Sequence, residues 1–423
     1  MSYHKQTVFW LLSAFILIAG TILCAEAGLR ILSQVSWRVD MFTRSQPPEC
    51  FIRSTQGFIS RGNPHCPEHD TRGYRNRRAL SEPEIVALGD SVTYGSAVPF
   101  DAAWPYILSQ RLNREVYNMA LPSTGPLQSL EILRQALELH PKVIIFGFYF
   151  GNDLLDDFFF AQGNNRLSEF LAEDDIADIN KAENVENLKQ KVDILFGRAV
   201  TWNPPRTHEQ LSSLARIRSF LADNSRVYGF LRSSKKLWFD GPPRELPILD
   251  PRYEDAVSGI TEYQGPYVTP FSEGGWKTIF TSPYRFATVN LGDVRVRAGL
   301  SIAQRTMLLM NRVCKKSGIH FIVVLQPTKE TVFSRKVHDI SRYKLYPDLV
   351  NYENEIRIQL KTFFEEHRLD FIDPLPRLQE SDVQPYFENA DGHPNVVGSE
   401  IIGDAVYDFM KQKGLPREAV TNE

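Results

Sequence analysis

The sequence has almost no excess of charge of either sign: 48 lysines and arginines stand against 51 aspartates and glutamates, a formal net charge of -3 over 423 residues. Such a balance sets up no field for capturing nucleic acid or an acidic surface, so nucleic acid is not an expected partner. Metal-ligand patterning is also missing. His65, Cys66 and His69 cluster locally, but His65 and Cys66 are adjacent and no fourth ligand is evident, so no metal is expected there. Cysteines number four. Cys50 and Cys66 lie close together in a Pro/Gly-rich stretch, where a disulfide-closed loop of an oxidising compartment and two unrelated thiols are equally weighted readings. Cys314 has no evident partner.

Long hydrophobic runs are absent, with one exception. Thr7–Ala25 carries no charge and is long enough to cross the roughly 30 Å hydrocarbon core as a helix. We read it as an uncleaved membrane span behind an N-terminal tail of residues 1–6. Two rival readings compete, because Ala25-Glu26-Ala27 resembles a signal cleavage site and Cys24 a lipidation site. The run is longer than a usual signal core, however, and Leu23 is bulky where a small residue belongs. Lys5 before the span and Arg30, Arg38 and Arg44 after it, taken alone, argue against an external bulk, while the Cys50 and Cys66 pair leans outward. The expectation is a single-pass membrane protein with its main domain outside the cytoplasm, the cytoplasmic orientation staying open.

The remaining composition, 43% hydrophobic and 23% charged, is globular, and the length suits one principal domain carrying a large insertion. Residues 26–81 read as a polar, turn-rich lead-in that packs late and carries Thr71-Arg72-Gly73-Tyr74-Arg75. An alternation of short apolar runs and helical patterns follows. Strands are expected at Ile85–Leu88, Val116–Met119, Val143–Phe150, Phe321–Leu325 and Asp370–Ile372. Helices are expected at Trp104–Leu112, Leu127–His140, Leu300–Lys316, Tyr352–His367 and after Pro394. Strands without polar alternation, separated by helices, predict a parallel sheet covered on both faces. The fold class is therefore α/β, a flavodoxin-like three-layer sandwich of about five parallel strands, formed by residues 82–160 and 291–415. Residues 161–290 break the rhythm, with helical patches at Ile176–Phe196 and Leu211–Leu221, and read as an insertion serving as lid or substrate platform. The Phe158-Phe159-Phe160 run and the insertion's aromatics line a cleft or, as such residues more often do, fill the core.

In such sheets the reactive site lies beyond the carboxyl ends of the strands. Four loops there carry chemistry: Gly89-Asp90-Ser91 after the first strand, Asn118 to Gly125 after the second, Gly151-Asn152-Asp153 after the third, and Asp391-Gly392-His393-Pro394 before the last helix. Singly, each has a bland reading as a turn or a helix cap. Jointly, after successive strands, they supply a hydroxyl, an imidazole, a carboxylate and several hydrogen-bond donors.

This set resembles the SGNH/GDSL hydrolase superfamily, whose four signature blocks are Ser, Gly, Asn and His; Ser91, Gly125, Asn152 and His393 match them in chain order. The likeness spans roughly 84–160 and 320–411. It implies Ser91 as nucleophile, His393 as base, and an oxyanion hole from the N–H groups of Ser91 and Gly125 and the side chain of Asn152. The family's carboxylate usually sits three residues before the histidine, where this chain has Ala390. Asp391, two before, resembles the spacing in polysaccharide O-acetyltransferase members; otherwise a Ser–His pair works with a backbone carbonyl. Lys329, in the loop after the fourth strand, meets an anionic or sugar substrate or is simply solvated. The implied activity is a serine esterase acting on O-acyl or O-acetyl groups of a small molecule or cell-envelope glycan, with no cofactor and no metal required. The alternatives are an O-acyltransferase using the same site and a non-catalytic glycan-binding scaffold of the same fold.

Overall fold

The computed structural model describes residues 3–35, 50–53, 60–182, 188, 192, 225–228, 230–231, 268–340, 343 and 345–416. They fall within two compact units, one drawing on 1–50, 63–69 and 203–246, the other on 51–62, 70–202 and 247–423.

In the smaller unit, helix α1 spans Tyr3–Val35. Among the described residues it is the one helix long and apolar enough to cross a membrane, within Leu12–Leu32 at a mean hydropathy of 2.0. The helix outruns the expected span, so the first part of the 26–81 lead-in is helical. Glu26 accepts from the N–H groups of Arg226 at 2.9 Å and Val227 at 3.0 Å, and from Arg30 Nε at 2.8 Å. Cys50 and Cys66 are joined as a disulfide. That bond removes Cys66 from the His65, Cys66 and His69 cluster as a thiolate ligand.

The larger unit opens with a short antiparallel hairpin, β1 (Phe51–Arg53) and β2 (Ser60–Gly62). Its centre is a sheet of β3 (Ile85–Gly89), β4 (Val116–Asn118), β5 (Val143–Tyr149), β8 (His320–Gln326) and β9 (Asp370–Ile372), in the spatial order β4-β3-β5-β8-β9. Every pairing in it is parallel. This is the flavodoxin-like order, with its switch point beside the first strand of the sheet. All residues of β3 and β5 are buried, the consequence of apolar side chains on both faces.

The covering helices are α2 (Ser91–Tyr94), α3 (Trp104–Leu112), α4 (Pro126–Leu137), α5 (Asp153–Gly163), α6 (Ser282–Val289), α7 (Val294–Lys316), α8 (Lys329–Phe333), α9 (Tyr346–Glu366) and α10 (Val396–Lys413). Helix α3 packs on α10, and α7 packs on α4 and α5. Helix α4 ends at Leu137, short of its expected end at His140, since the residue before Pro141 is disfavoured in the right-handed helical region; His140 itself stands at φ 51°.

Two expectations change. The lead-in does not merely trail into the first strand: Arg75 is 1% exposed and donates to the carbonyls of Tyr94, Gly95 and Val98. Asn76 meanwhile exchanges hydrogen bonds with the backbone of Asn118 at 2.9 Å each way. These buried polar links, spanning tens of residues, leave no trace in local periodicity. Part of the expected insertion 161–290 also packs on this core. The hairpin β6 (Thr269–Glu273) and β7 (Trp276–Phe280) and helix α6 join the main core, with Phe271, Trp276 and Phe280 buried against Phe333. Phe158 and Phe160 are likewise buried core residues. The start of the expected helix Ile176–Phe196 falls in a helix at Glu173–Lys181, and Leu188 and Val192 are helical too; Leu211–Leu221 lies outside the described residues.

Candidate active site

Strand β3 delivers Ser91. It ends at Gly89, at φ +142°, where a Cβ would stand 2.6 Å from Thr93 Oγ1 and 2.7 Å from the Gly147 carbonyl, so only glycine allows the chain to turn here. Asp90 then caps α2, its Oδ1 accepting from Val92 N–H at 3.0 Å. Ser91 stands at the first position of that helix, with Oγ 3.0 Å from Asp90 Oδ2 and 2.8 Å from His393 Nε2.

The loop before α10 delivers the imidazole. Asp391 is 3% exposed, and its Oδ1 accepts from both the backbone N–H of His393, at 2.8 Å, and the ring Nδ1, at 2.6 Å. A carboxylate two residues before the histidine therefore reaches the ring by folding back over its own loop. Ala390, at the position where the family's acid usually stands, is buried and carries no acid.

The charges follow from these contacts. Burial opposes the imidazolium, but the Asp391 carboxylate beside it, and Asp90 behind Ser91, outweigh that penalty and hold the His393 pKa above its ordinary value of 6.5. Burial likewise opposes ionisation of Asp391, and the His393 charge and its hydrogen bonds, with Lys329 behind, reverse the sign and hold that carboxyl below its usual range. Asp90, fully buried, is pushed up by desolvation against the pull of His393. Two proton arrangements result. With a neutral ring donating Nδ1–H to Asp391, Nε2 accepts the Ser91 hydroxyl proton. With an imidazolium, Nε2–H donates to Oγ, whose own proton turns to Asp90.

The other two signature positions lie side by side. A Cβ on Gly125 would meet Asp153 O at 2.9 Å and Asp157 Oδ1 at 2.7 Å, which places Gly125 against the first turn of α5, next to Asn152. Thr124 Oγ1 donates to Gly89 O at 2.9 Å and ties this loop to the end of β3. Both donors already have acceptors on their own elements: Gly125 N–H donates to Gln128 Oε1 at 2.9 Å, and Asn152 Nδ2 to Asp156 Oδ2 at 2.5 Å. To bind an oxyanion, the single N–H of Gly125 has to change partner, whereas the Asn152 amide carries a second N–H beside the one given to Asp156.

Lys329 does not face a substrate. It is 0% exposed, and its ammonium donates to the carbonyls of Ile279 and Asn389 at 2.8 Å and of Asp391 at 2.9 Å. All three protons are used, and burial brings its pKa down to about 8. The residue is a strut between β7 and the histidine loop, not the surface contact expected from its loop position. Lys329→Met, of similar length with no donors, takes the ammonium away from the carbonyls of Ile279 and Asp391 and leaves that of Asn389 to Thr278 Oγ1 and the Ile279 N–H; we expect a loss of about 2–3 kcal/mol, read as a lower melting midpoint of the full chain in detergent.

Sequence reasoning passed over Asp90 and Tyr149. The hydroxyl of Tyr149 donates to Gly392 O at 3.1 Å, bracing the histidine loop from the end of β5. The signal for Asp90 was present, since an acid directly before the serine is placed to cap a helix. No local signal marked Tyr149, an aromatic in an apolar strand. Cys314 is a buried thiol pushed up to about 12 by desolvation, an inert core residue.

No family model matches the chain, and no curated protein matches it. Among solved structures, a protein assigned to the lipolytic G-D-S-L family from Desulfitobacterium hafniense aligns at 12% identity and a TM-score of 0.34, covering 77% of this chain and 97% of its own. A GDSL-like lipase from Bacteroides thetaiotaomicron aligns at 8% identity and 0.33, covering 78% and 88%. A protein assigned as an acylhydrolase from Bacteroides fragilis aligns at 10% and 0.32, covering 78% and 90%. At these identities and scores, what the chain can do rests on the distances within its own site.

Proposed function

We propose that this chain is a serine esterase of the SGNH/GDSL hydrolase superfamily, working through an acyl-serine intermediate. The observation that carries the reading is the relay Ser91 Oγ, His393 Nε2, His393 Nδ1, Asp391 Oδ1, with links of 2.8 and 2.6 Å. Serine is a weak nucleophile at its own pKa and needs a base within hydrogen-bond reach. His393 takes the hydroxyl proton as Oγ bonds to the ester carbonyl carbon, and Asp391 holds the ring tautomer and stabilises the imidazolium. The imidazolium then protonates the departing alkoxide. Water, deprotonated by the same ring, releases the acid and restores Ser91. The oxyanion of each tetrahedral intermediate falls to the N–H groups of Ser91 and Gly125 and to the Asn152 amide, each donor worth about 3 kcal/mol.

A narrow groove beside Ser91 and His393 is lined by Gly95, Ala97 and Val98, and its tightness favours a short acyl group such as acetyl. The apolar helix α1 supports tethering to a membrane, and the Cys50–Cys66 bond supports an oxidising, extracytoplasmic setting. O-acetyl groups of envelope glycans are the substrates these features suit. Transfer to a sugar hydroxyl instead of water is a second reading, favoured by Asp391 standing two residues before His393.

Turnover of p-nitrophenyl acetate against the octanoate ester, with and without an oligosaccharide acceptor, tests these statements. We expect the acetate to win by at least about tenfold in kcat/KM, and acetylated acceptor to accumulate only if transfer is the true reaction. The pH profile is an independent check. Only neutral His393 accepts a proton, so kcat/KM rises with pH through a midpoint above 6.5; a midpoint in the carboxylate range would assign the base elsewhere.

A further inference from the structure

Arg285, on α6, lies in a segment that none of the four signature loops includes. Its side chain is 6% exposed, and it reaches the site from behind. Its guanidinium carbon stands 5.3 Å from the ring centre of Tyr149 and 4.8 Å from that of Tyr284. Nη1 donates to Gly151 O at 2.9 Å, immediately before Asn152. The fork also stands against Gly392, where an added Cβ would lie 2.1 Å from Nη2 and 3.0 Å from Cζ. One buried cation thus touches the loop of the oxyanion-hole amide and the residue between Asp391 and His393.

We propose that Arg285 is a positioning residue of this site, holding the Asn152 loop and the His393 loop at a fixed separation and placing a permanent positive charge beside the base. The inference rests on the reading of Ser91 and His393 as the catalytic pair. It gives glycine at position 392 a reason, since any side chain there would displace the fork.

The charge has a directional consequence. His393 is faced by Asp391 on its own loop, by Asp90 and Ser91 from the β3–α2 turn, and by Arg285 from α6. Lys329 stands behind Asp391, and Glu330 and Tyr149 stand near Arg285. The two carboxylates favour the imidazolium and Arg285 opposes it. Removing the guanidinium therefore raises the pH at which the ring becomes a base.

The test compares the wild-type full chain in detergent with Arg285→Met, Arg285→Lys and Gly392→Ala. Deuterium exchange at the histidine C2 position, followed by peptide mass spectrometry across pH, reports His393 whether or not the protein turns over ester. We expect the His393 midpoint to rise by about 0.5–1 pH unit in Arg285→Met, with the acidic limb of kcat/KM moving alike and kcat/KM at neutral pH falling at least about tenfold. Arg285→Lys should restore the midpoint but not the full rate. Gly392→Ala, which pushes the fork away without removing it, should move the midpoint the same way and reads the effect should Arg285→Met fail to fold. An unchanged midpoint in both Arg285→Met and Gly392→Ala overturns the proposal. Ester turnover surviving Ser91→Ala overturns the underlying catalytic reading instead, and the exchange measurement still decides where the Arg285 charge acts.

Discussion

Ser91→Ala is expected to lower kcat for short-chain ester turnover by about 10⁴-fold or more, and His393→Ala by a similar factor. The two losses should not add. Once the 2.8 Å link between Oγ and Nε2 is broken at either end, the remaining partner has nothing to activate or nothing to be activated by. The double variant should therefore resemble each single one, with the residual rate set by binding and the oxyanion donors. Folding should be little affected, because Ser91 is only partly buried at the start of a four-residue helix and its cap, the Asp90 carboxylate, stays in place. A melting midpoint within a few degrees of wild type, measured beside the rate, separates loss of chemistry from loss of structure.

The second large effect concerns the acid. Asp391→Ala should cost about 10⁴-fold in kcat, as removal of a tautomer-holding carboxylate does elsewhere. Asp391→Asn should cost a similar factor, because the charge and the tautomer are lost even where the geometry is kept. One oxygen, Oδ1, accepts both the ring Nδ1 and the backbone N–H of His393, and an amide can keep that geometry while losing the charge. The sign of the pH change distinguishes charge from geometry: without the carboxylate the imidazolium is less stable, so the acidic limb should move to lower pH in Asp391→Asn. A loss below tenfold in Asp391→Ala would mean that Ser91 and His393 act as a pair with a backbone carbonyl orienting the ring.

Much of this arrangement was legible beforehand, for identifiable reasons. Strands β3, β5 and β8 are apolar on both faces, a pattern that only a sheet covered twice tolerates, and the site loops follow from the rule that chemistry gathers at the strands' carboxyl ends. Lys329 was not legible, because a lysine in a polar loop reads the same whether its ammonium meets solvent or three carbonyls, two of which lie 60 and 62 residues further along. Arg75 and Arg285 escaped for the same reason: each is a charged residue in a turn-rich or aromatic stretch whose partners are backbone carbonyls brought near only by the fold. Cys50 and Cys66 had two equal readings until their placement joined them. The spacing of Asp391 and His393 left two readings open, a carboxylate or a backbone carbonyl orienting the ring, and the back-folded loop brings the carboxylate to 2.6 Å from Nδ1.

The most direct test of the central claim is covalent capture. The full chain is treated with a fluorophosphonate, which bonds irreversibly to an activated serine, and the adduct is mapped by peptide mass spectrometry across a range of pH. The predicted result is one adduct per chain, on Ser91, forming more slowly as pH falls through the His393 midpoint and absent from His393→Ala. An adduct on another residue, or an unmodified Ser91 in a protein that still hydrolyses esters, would contradict the assignment of Ser91 as the nucleophile.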